Sequence, residues 1–245
     1  MKQLPLGVRL RADATFESFA VGANGELLAA LKAPGSLPIW IWGGAGAGKT
    51  HLLQAVCAAG SEGVGTGQGA GAGEGAAYFP LQRSIGLPPE ALAGFESSGV
   101  LCVDDVDAVA GDPAWEQALF RVFNEAADLG TRLIFAAGAA PRQLEWSLED
   151  WRSRAAACVV YQVRELDEAG LIEALRLRAA QRGLDLPQET SEYLLRRMPR
   201  DLTSLYEVLD QLDEASLIAQ RRLTVPFIRE ALETLAKKTP SSKTS

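Results

Sequence analysis

Residues 43–50 read Gly-Gly-Ala-Gly-Ala-Gly-Lys-Thr, the stretch of this chain whose residue types and spacing carry the most chemistry. Gly43, Gly48, Lys49 and Thr50 fit the pattern G-x-x-x-x-G-K-[ST]. Glycines such as Gly43, Gly46 and Gly48 let a backbone curl until its N–H groups point inward at phosphate oxygens. An ammonium at Lys49 would meet the β- and γ-phosphates of a nucleotide, and a hydroxyl at Thr50 would reach a magnesium ion. A helix starting near Lys49 would turn its positive dipole end on the same anion.

The pattern needs a strand before it and a helix after it. Leu37-Pro38-Ile39-Trp40-Ile41-Trp42 is a short apolar run suited to a buried strand. His51 to Ala59 has helical composition, with Leu52, Leu53 and Val56 along one face and Gly60 as a stop. That context separates a phosphate loop from a glycine-rich surface turn. Such a site next requires a carboxylate at the end of an apolar strand. Asp104 follows Val100-Leu101-Cys102-Val103 directly and would hold the metal opposite Thr50. Asp105 stands where a base that polarises an attacking water would sit. The alternative for both is a turn or helix cap, a role Asp commonly fills. His51, the only histidine, reads as packed or capping, and Trp40 and Trp42 read as core.

A chain of 245 residues, 47% of them apolar, has room for one α/β domain and a small helical one. No run is long enough to span a bilayer, and the first residues lack the features of a signal peptide. Cys57, Cys102 and Cys158 are far apart in apolar segments, as expected of buried thiols in a reducing, cytoplasmic setting. A formal net charge of −7 argues against broad binding to nucleic acid, which rests on phosphate neutralisation. It leaves room for a protein partner that itself sits on DNA.

The elements follow from pattern. Residues 1–13 read as an extended tail and Glu26 to Leu31 as a short helix. Residues 61–77 are rich in glycine, close on no Gly-Lys-[Ser/Thr], and read as a flexible surface loop. Further strands are expected at 77–81, 100–103, 132–136 and 158–161. Asp112-Pro113 opens a helix whose stripe is Trp115, Leu119, Val122, Phe123 and Ala126, with Gly130 at its end. Another helix is expected over 148–157. Beyond Gln162 only helices are suggested, at about 167–182, 189–198, 201–220 and 225–236, then a polar, disordered tail over 237–245. The expected architecture is a parallel five-stranded α/β P-loop domain over 14–163 and a helical lid over 164–236.

Gly46-Ala47-Gly48-Lys49-Thr50-His51-Leu52-Leu53, the Asp104-Asp105 pair and the helical second domain resemble the AAA+ family. Within it, the chain is similar to the DnaA-related proteins over about residues 14 to 236. Thr15-Phe16-Glu17-Ser18-Phe19 and Val21-Gly22 match an opening box whose Val-Gly part lies against adenine in that family. Pro141-Arg142-Gln143-Leu144, Leu209-Asp210-Gln211-Leu212-Asp213 and Leu223-Thr224-Val225-Pro226-Phe227 resemble the branch that inactivates the replication initiator. No basic helix-turn-helix follows Ala236, and this, with the acidic balance, favours a regulator over the initiator itself.

The resemblance implies a bound ADP (or ATP) with magnesium held at Thr50 and Asp104. It implies two partners, the DnaA initiator and the sliding clamp of DNA polymerase III. Gln3-Leu4-Pro5-Leu6-Gly7-Val8 resembles the branch's clamp-binding peptide, with Gln3 as polar anchor and Leu4, Leu6 and Val8 as apolar contacts. Gly7 and Val8 depart from that peptide's proline and leucine, which weakens the expected grip. Arg154 aligns with the arginine finger that acts on a neighbour's γ-phosphate, with Arg152 its nearest competitor. Direct sequence-specific DNA binding and membrane association are not expected, and a homo-oligomer is left open.

The chain also departs from the family. Where relatives carry threonine, aspartate and arginine after the fourth strand, it has Ala136, Gly138 and Ala139. The lid arginine is matched by Thr203, with Arg200 one turn earlier. Loss of one positioned transition-state donor commonly costs about 10² to 10³ in rate. The expectation is therefore nucleotide binding with little self-hydrolysis, and activation of a partner's ATPase through Arg154. Rival readings are a self-sufficient AAA+ ATPase and a structural DnaA-like adaptor.

Overall fold

The apolar strand that precedes the phosphate loop lies inside a five-stranded, fully parallel sheet of order β2-β3-β4-β1-β5. The strands are β1 (Ile39–Trp42), β2 (Ala76–Pro80), β3 (Val100–Asp104), β4 (Arg132–Ala137) and β5 (Val159–Gln162). The computed structural model describes residues 14–35, 37–62, 75–219 and 221–238. The expected tail at 1–13, most of the glycine-rich stretch and residues 239–245 lie outside the described residues.

Parallel strands need crossovers, and helices supply them on both faces. In the first unit these are α1 (Gly25–Lys32), α2 (Lys49–Glu62), the short α3 (Leu81–Ser84), α4 (Pro113–Leu129) and α5 (Glu149–Ala156). Strand alternation sorts the core into two layers. Trp40, Leu101, Val103, Leu133 and Phe135 face one side with Trp115, Leu119, Val122, Phe123 and Trp151. Ile39, Ile41, Cys102, Ile134 and Ala136 face the other with Leu52, Leu53 and Val56 of α2. Trp40 is fully buried, as its place in the apolar run implies, and its indole N–H donates to the Ala139 carbonyl at 3.1 Å.

Capping chemistry sets the ends of α4. The Asp112 carboxylate accepts from the N–H groups of Ala114 (2.9 Å) and Trp115 (3.3 Å), and Gly130 ends the helix at φ 73°. Gly60 behaves differently from the expected stop. Helix α2 runs through it to Glu62. A Cβ at Gly60 would lie 3.0 Å from the Ala76 Cβ, so this glycine serves close helix–strand approach rather than termination. The second strand begins and ends one residue earlier than expected, because Leu81 opens α3.

The chain divides into two compact units, residues 1–165 and 166–245. The second holds α6 (Glu168–Gln181), α7 (Gln188–Arg197), α8 (Leu202–Ala219) and α9 (Val225–Lys238). Leu171, Leu175, Leu194, Leu195, Leu205, Leu209, Leu212, Phe227 and Ile228 form its own core. Among the described residues no helix is long and apolar enough to cross a membrane.

Candidate functional site

The loop between β1 and α2 curls as its glycines allow. Gly46 and Gly48 take φ values of 76° and 99°, conformations that side chains other than glycine rarely hold. The Gly43 N–H bonds the Ala137 carbonyl of β4 at 3.3 Å. A Cβ at Gly43 would stand 2.6 Å from the Val163 carbonyl oxygen, so only glycine fits there. The Lys49 ammonium folds over the loop and donates to the carbonyls of Gly43 (2.8 Å) and Gly44 (2.9 Å).

Sheet order brings the distant carboxylate to this loop. Strand β4 separates β1 from β3, and Asp104 at the end of β3 reaches past it. The Thr50 hydroxyl donates to Asp104 Oδ2 at 2.7 Å. The Tyr78 hydroxyl donates to the same oxygen at 2.7 Å, and the Asp105 N–H donates to Oδ1 at 3.0 Å. Asp104 is 1% exposed, so these donors are its compensation for burial. Burial, with the Asp104 charge beside it, pushes the Tyr78 phenol far above its ordinary value and keeps it a donor.

Asp105 adopts the left-handed region at φ 54°. Burial and the charges of Asp104 and Asp107 raise its pKa, while Lys49 and Arg83 oppose the rise. A raised pKa moves a carboxylate toward the range useful to a general base. A Cβ at Gly138 would sit 2.8 Å from Asp107 Oδ2, so the Asp107 carboxylate fills the space beside Gly138. Ala136 is fully buried and offers no polar atom.

The opening box packs on the loop. The Phe19 ring lies where a Cβ on Gly48 would be 2.8 Å from its edge. His51 Nε2 lies 2.9 Å from the Thr15 carbonyl and 3.2 Å from the Ser18 hydroxyl, and its ring is 5.8 Å from that of Phe19. His51 thus fastens the box to α2. Val21 and Gly22 form the turn before α1, with Gly22 at φ 47°. Asn24 then bonds Arg164 in both directions, accepting from its N–H (2.7 Å) and donating to its carbonyl (3.0 Å).

Arg154 is exposed near the end of α5, its guanidinium 5.7 Å from the centre of the Phe123 ring. No carboxylate pairs with it among the described residues, whereas Arg152 is engaged by Glu149 at 2.6 Å. Helix α5 is held by Trp151, fully buried against Phe135 and Trp146. Thr203 is exposed on α8, and Arg200 pairs with Glu168 at 3.3 Å within the helical unit. Gln3, Leu4, Leu6 and Val8 lie outside the described residues.

Three residues escaped the sequence reading. Tyr78 sits in an apolar strand, and its hydroxyl matters only once β2 pairs with β3. Asp107 follows the carboxylate pair, and its close approach to Gly138 is a tertiary fact. Glu116 lies beside the apolar stripe of α4, a charge in a hydrophobic neighbourhood that could have been noticed. It is fully buried and accepts from the N–H groups of Gly111 (2.8 Å), Ser147 (3.1 Å) and Leu148 (2.6 Å).

The loop donors suit a nucleotide phosphate, and a hydroxyl with a carboxylate suits magnesium, which takes one or two such oxygens beside those of a phosphate. No group of three or more His, Cys, Asp or Glu side chains fit to hold a metal by themselves occurs among the described residues. Sheet order, loop and helical unit define the AAA+ P-loop fold. Domain III of the Thermotoga maritima replication initiation protein DnaA superimposes with a TM-score of 0.75 at 23% identity, covering 93% of this chain and 98% of that one. AMPPCP-bound DnaA from Aquifex aeolicus gives 0.66 at 24% identity, covering 84% and 67%. The Thermotoga maritima RuvB Holliday junction branch migration motor gives 0.59 at 14% identity, covering 81% and 62%. The family described as Hda, lid domain, matches residues 167–232. The helical unit is thus similar to the Hda lid domain, and the chain shares the fold of DnaA domain III.

Proposed function

We propose that this protein is a regulator of replication initiation that binds adenine nucleotide, grips the DNA-loaded sliding clamp and stimulates hydrolysis of ATP bound to DnaA. The observation that carries the reading is a curled glycine loop with Lys49 folded over it and Thr50 bonded to Asp104, in a chain that also carries a helical unit similar to the Hda lid domain. The bare positions at Ala136 and Gly138 separate binding from self-hydrolysis.

In this reading Gly43, Gly46, Gly48 and Lys49 hold the phosphates of ADP, and Val21 and Gly22 lie against adenine. The AMPPCP bound by the Aquifex aeolicus DnaA is an adenine nucleotide analogue, which supports that ligand class. Thr50 and Asp104 would hold magnesium, which offsets phosphate charge when bound. Asp105 is the candidate base for whatever self-hydrolysis remains. Residues 1–13, through Gln3, Leu4, Leu6 and Val8, carry the clamp contact. Arg154 presents its guanidinium to the γ-phosphate in DnaA. Leaving the Phe123 ring costs it only about 0.5–1 kcal/mol, small against the roughly 10³-fold or greater acceleration a trans arginine supplies.

The test is hydrolysis of DnaA-bound ATP in the presence of clamp-loaded DNA. Arg154→Ala is expected to abolish stimulation, a loss of about 10³, while nucleotide binding and melting temperature stay as in the wild type. Full stimulation by Arg154→Ala would overturn the finger assignment. Thr50, Asp104 and Asp105 also favour a second reading, a self-sufficient ATPase. Rapid turnover by the purified protein alone, lost in Lys49→Ala, is the result that would select it.

A further inference from the structure

The carboxylate of Asp104 is tethered on both oxygens. Thr50 and Tyr78 donate to Oδ2, each at 2.7 Å, and the Asp105 N–H donates to Oδ1 at 3.0 Å. The two hydroxyls approach from different elements. Thr50 is exposed at the start of α2, while Tyr78 stands on β2, two residues before Pro80, whose partner in β3 is Asp104. Gln54, buried on α2 one turn after Thr50, meets the Tyr78 hydroxyl in turn. The order of contacts is Gln54, Tyr78, Asp104, Thr50.

These donors differ in what else they are asked to do. A P-loop threonine serves magnesium through the same hydroxyl oxygen. Thr50 can give a lone pair to a cation and still donate its proton to Asp104, but its position then answers to two ligands. Tyr78 and the Asp105 N–H serve the carboxylate alone. The backbone donor fixes Oδ1, so of these two the phenol is the one that aims Oδ2. A phenylalanine would fill the same space in β2, and the hydroxyl is the part that packing does not require.

We infer that Tyr78 is a positioning residue for the metal–nucleotide site: its hydroxyl aims Asp104 Oδ2 at the place Thr50 shares with the cation, and Gln54 steadies that hydroxyl. This rests on the nucleotide-binding part of the proposed function. It concerns binding and needs no assumption about the clamp, the finger or DnaA.

The experiment uses the full chain and Tyr78→Phe, with ADP as ligand and thermal shift as readout, titrated with magnesium and repeated in EDTA. Wild type is expected to be stabilised by ADP and further by magnesium. Tyr78→Phe is expected to raise the magnesium midpoint about tenfold, the effect of losing one hydrogen bond to a charged group. Its ligand-free melting should fall, because the buried Asp104 loses a donor, while its ADP shift in EDTA, measured from its own ligand-free melting point, should match wild type. In an Asp104→Asn background the same change should have no further effect on the midpoint. Gln54→Leu, which keeps the phenol but not its neighbour, should move the midpoint in the same direction by about threefold. An unchanged midpoint in Tyr78→Phe, or an equal loss with and without magnesium, would overturn the inference. A wild type that ADP fails to stabilise would overturn the nucleotide reading and this inference with it.

Discussion

Asp105 is the only described residue other than glycine with a positive φ, and it stands beside two further carboxylates, Asp104 and Asp107. Aspartate and asparagine tolerate that backbone better than most residues. Burial and like charge hold its folded pKa above the ordinary 3.8. The sign follows from linkage: a raised carboxylate pKa penalises folding above the folded value and contributes nothing below the unfolded one. Asp105→Asn is therefore expected to melt higher than wild type at neutral pH. The gain should be no more than about 2 °C, because solvent screens a half-exposed group. It should vanish as pH falls through the folded value to the ordinary one. A melting comparison across that range checks it, and a variant less stable at neutral pH would show that Lys49 and Arg83 outweigh the repulsion. Lys49, Thr50 and the two aspartates were legible in the sequence because their chemistry is local, a fixed spacing or a strand end. Tyr78 and Asp107 were not, because their partners lie at other strands and their roles depend on register.

The elements that position the site were legible in kind and less so in extent. The stripe of α4 and its capping pair at Asp112-Pro113 follow from periodicity and local chemistry. The run of α2 past Gly60 does not, since it depends on how closely the helix meets Ala76. Glu116 is the strongest case. It ties the first turn of α4 to the residues that open α5, the helix bearing Arg154. Removing its fully buried carboxylate leaves three backbone donors without that acceptor, and the exposure of Gly111 and Ser147 lets water replace only part of it. Glu116→Ala is expected to cost about 3 kcal/mol of stability. Glu116→Gln, which keeps one acceptor oxygen, should cost less. Urea denaturation of the two variants checks the order. Equal stabilities for Glu116→Ala and wild type would mean that water reaches the three donors as well as the carboxylate does.

At the scale of the whole molecule, the proposed function asks two remote parts of one chain to act together. The N-terminal tail would find the clamp, and Arg154 would reach into a partner held nearby. A tether raises the effective concentration of the second contact without new surface, and the benefit is lost when the parts sit on separate molecules. Deleting residues 1–10 should abolish clamp-dependent stimulation while leaving nucleotide binding and melting unchanged. Arg154→Ala should abolish stimulation while leaving clamp binding unchanged. An equimolar mixture of the two variants is expected to stay inactive if one chain supplies both parts. Stimulated hydrolysis of DnaA-bound ATP on clamp-loaded DNA reads the result directly. Recovery of activity in the mixture would instead require a homo-oligomer, in which the tail of one copy delivers the Arg154 of another.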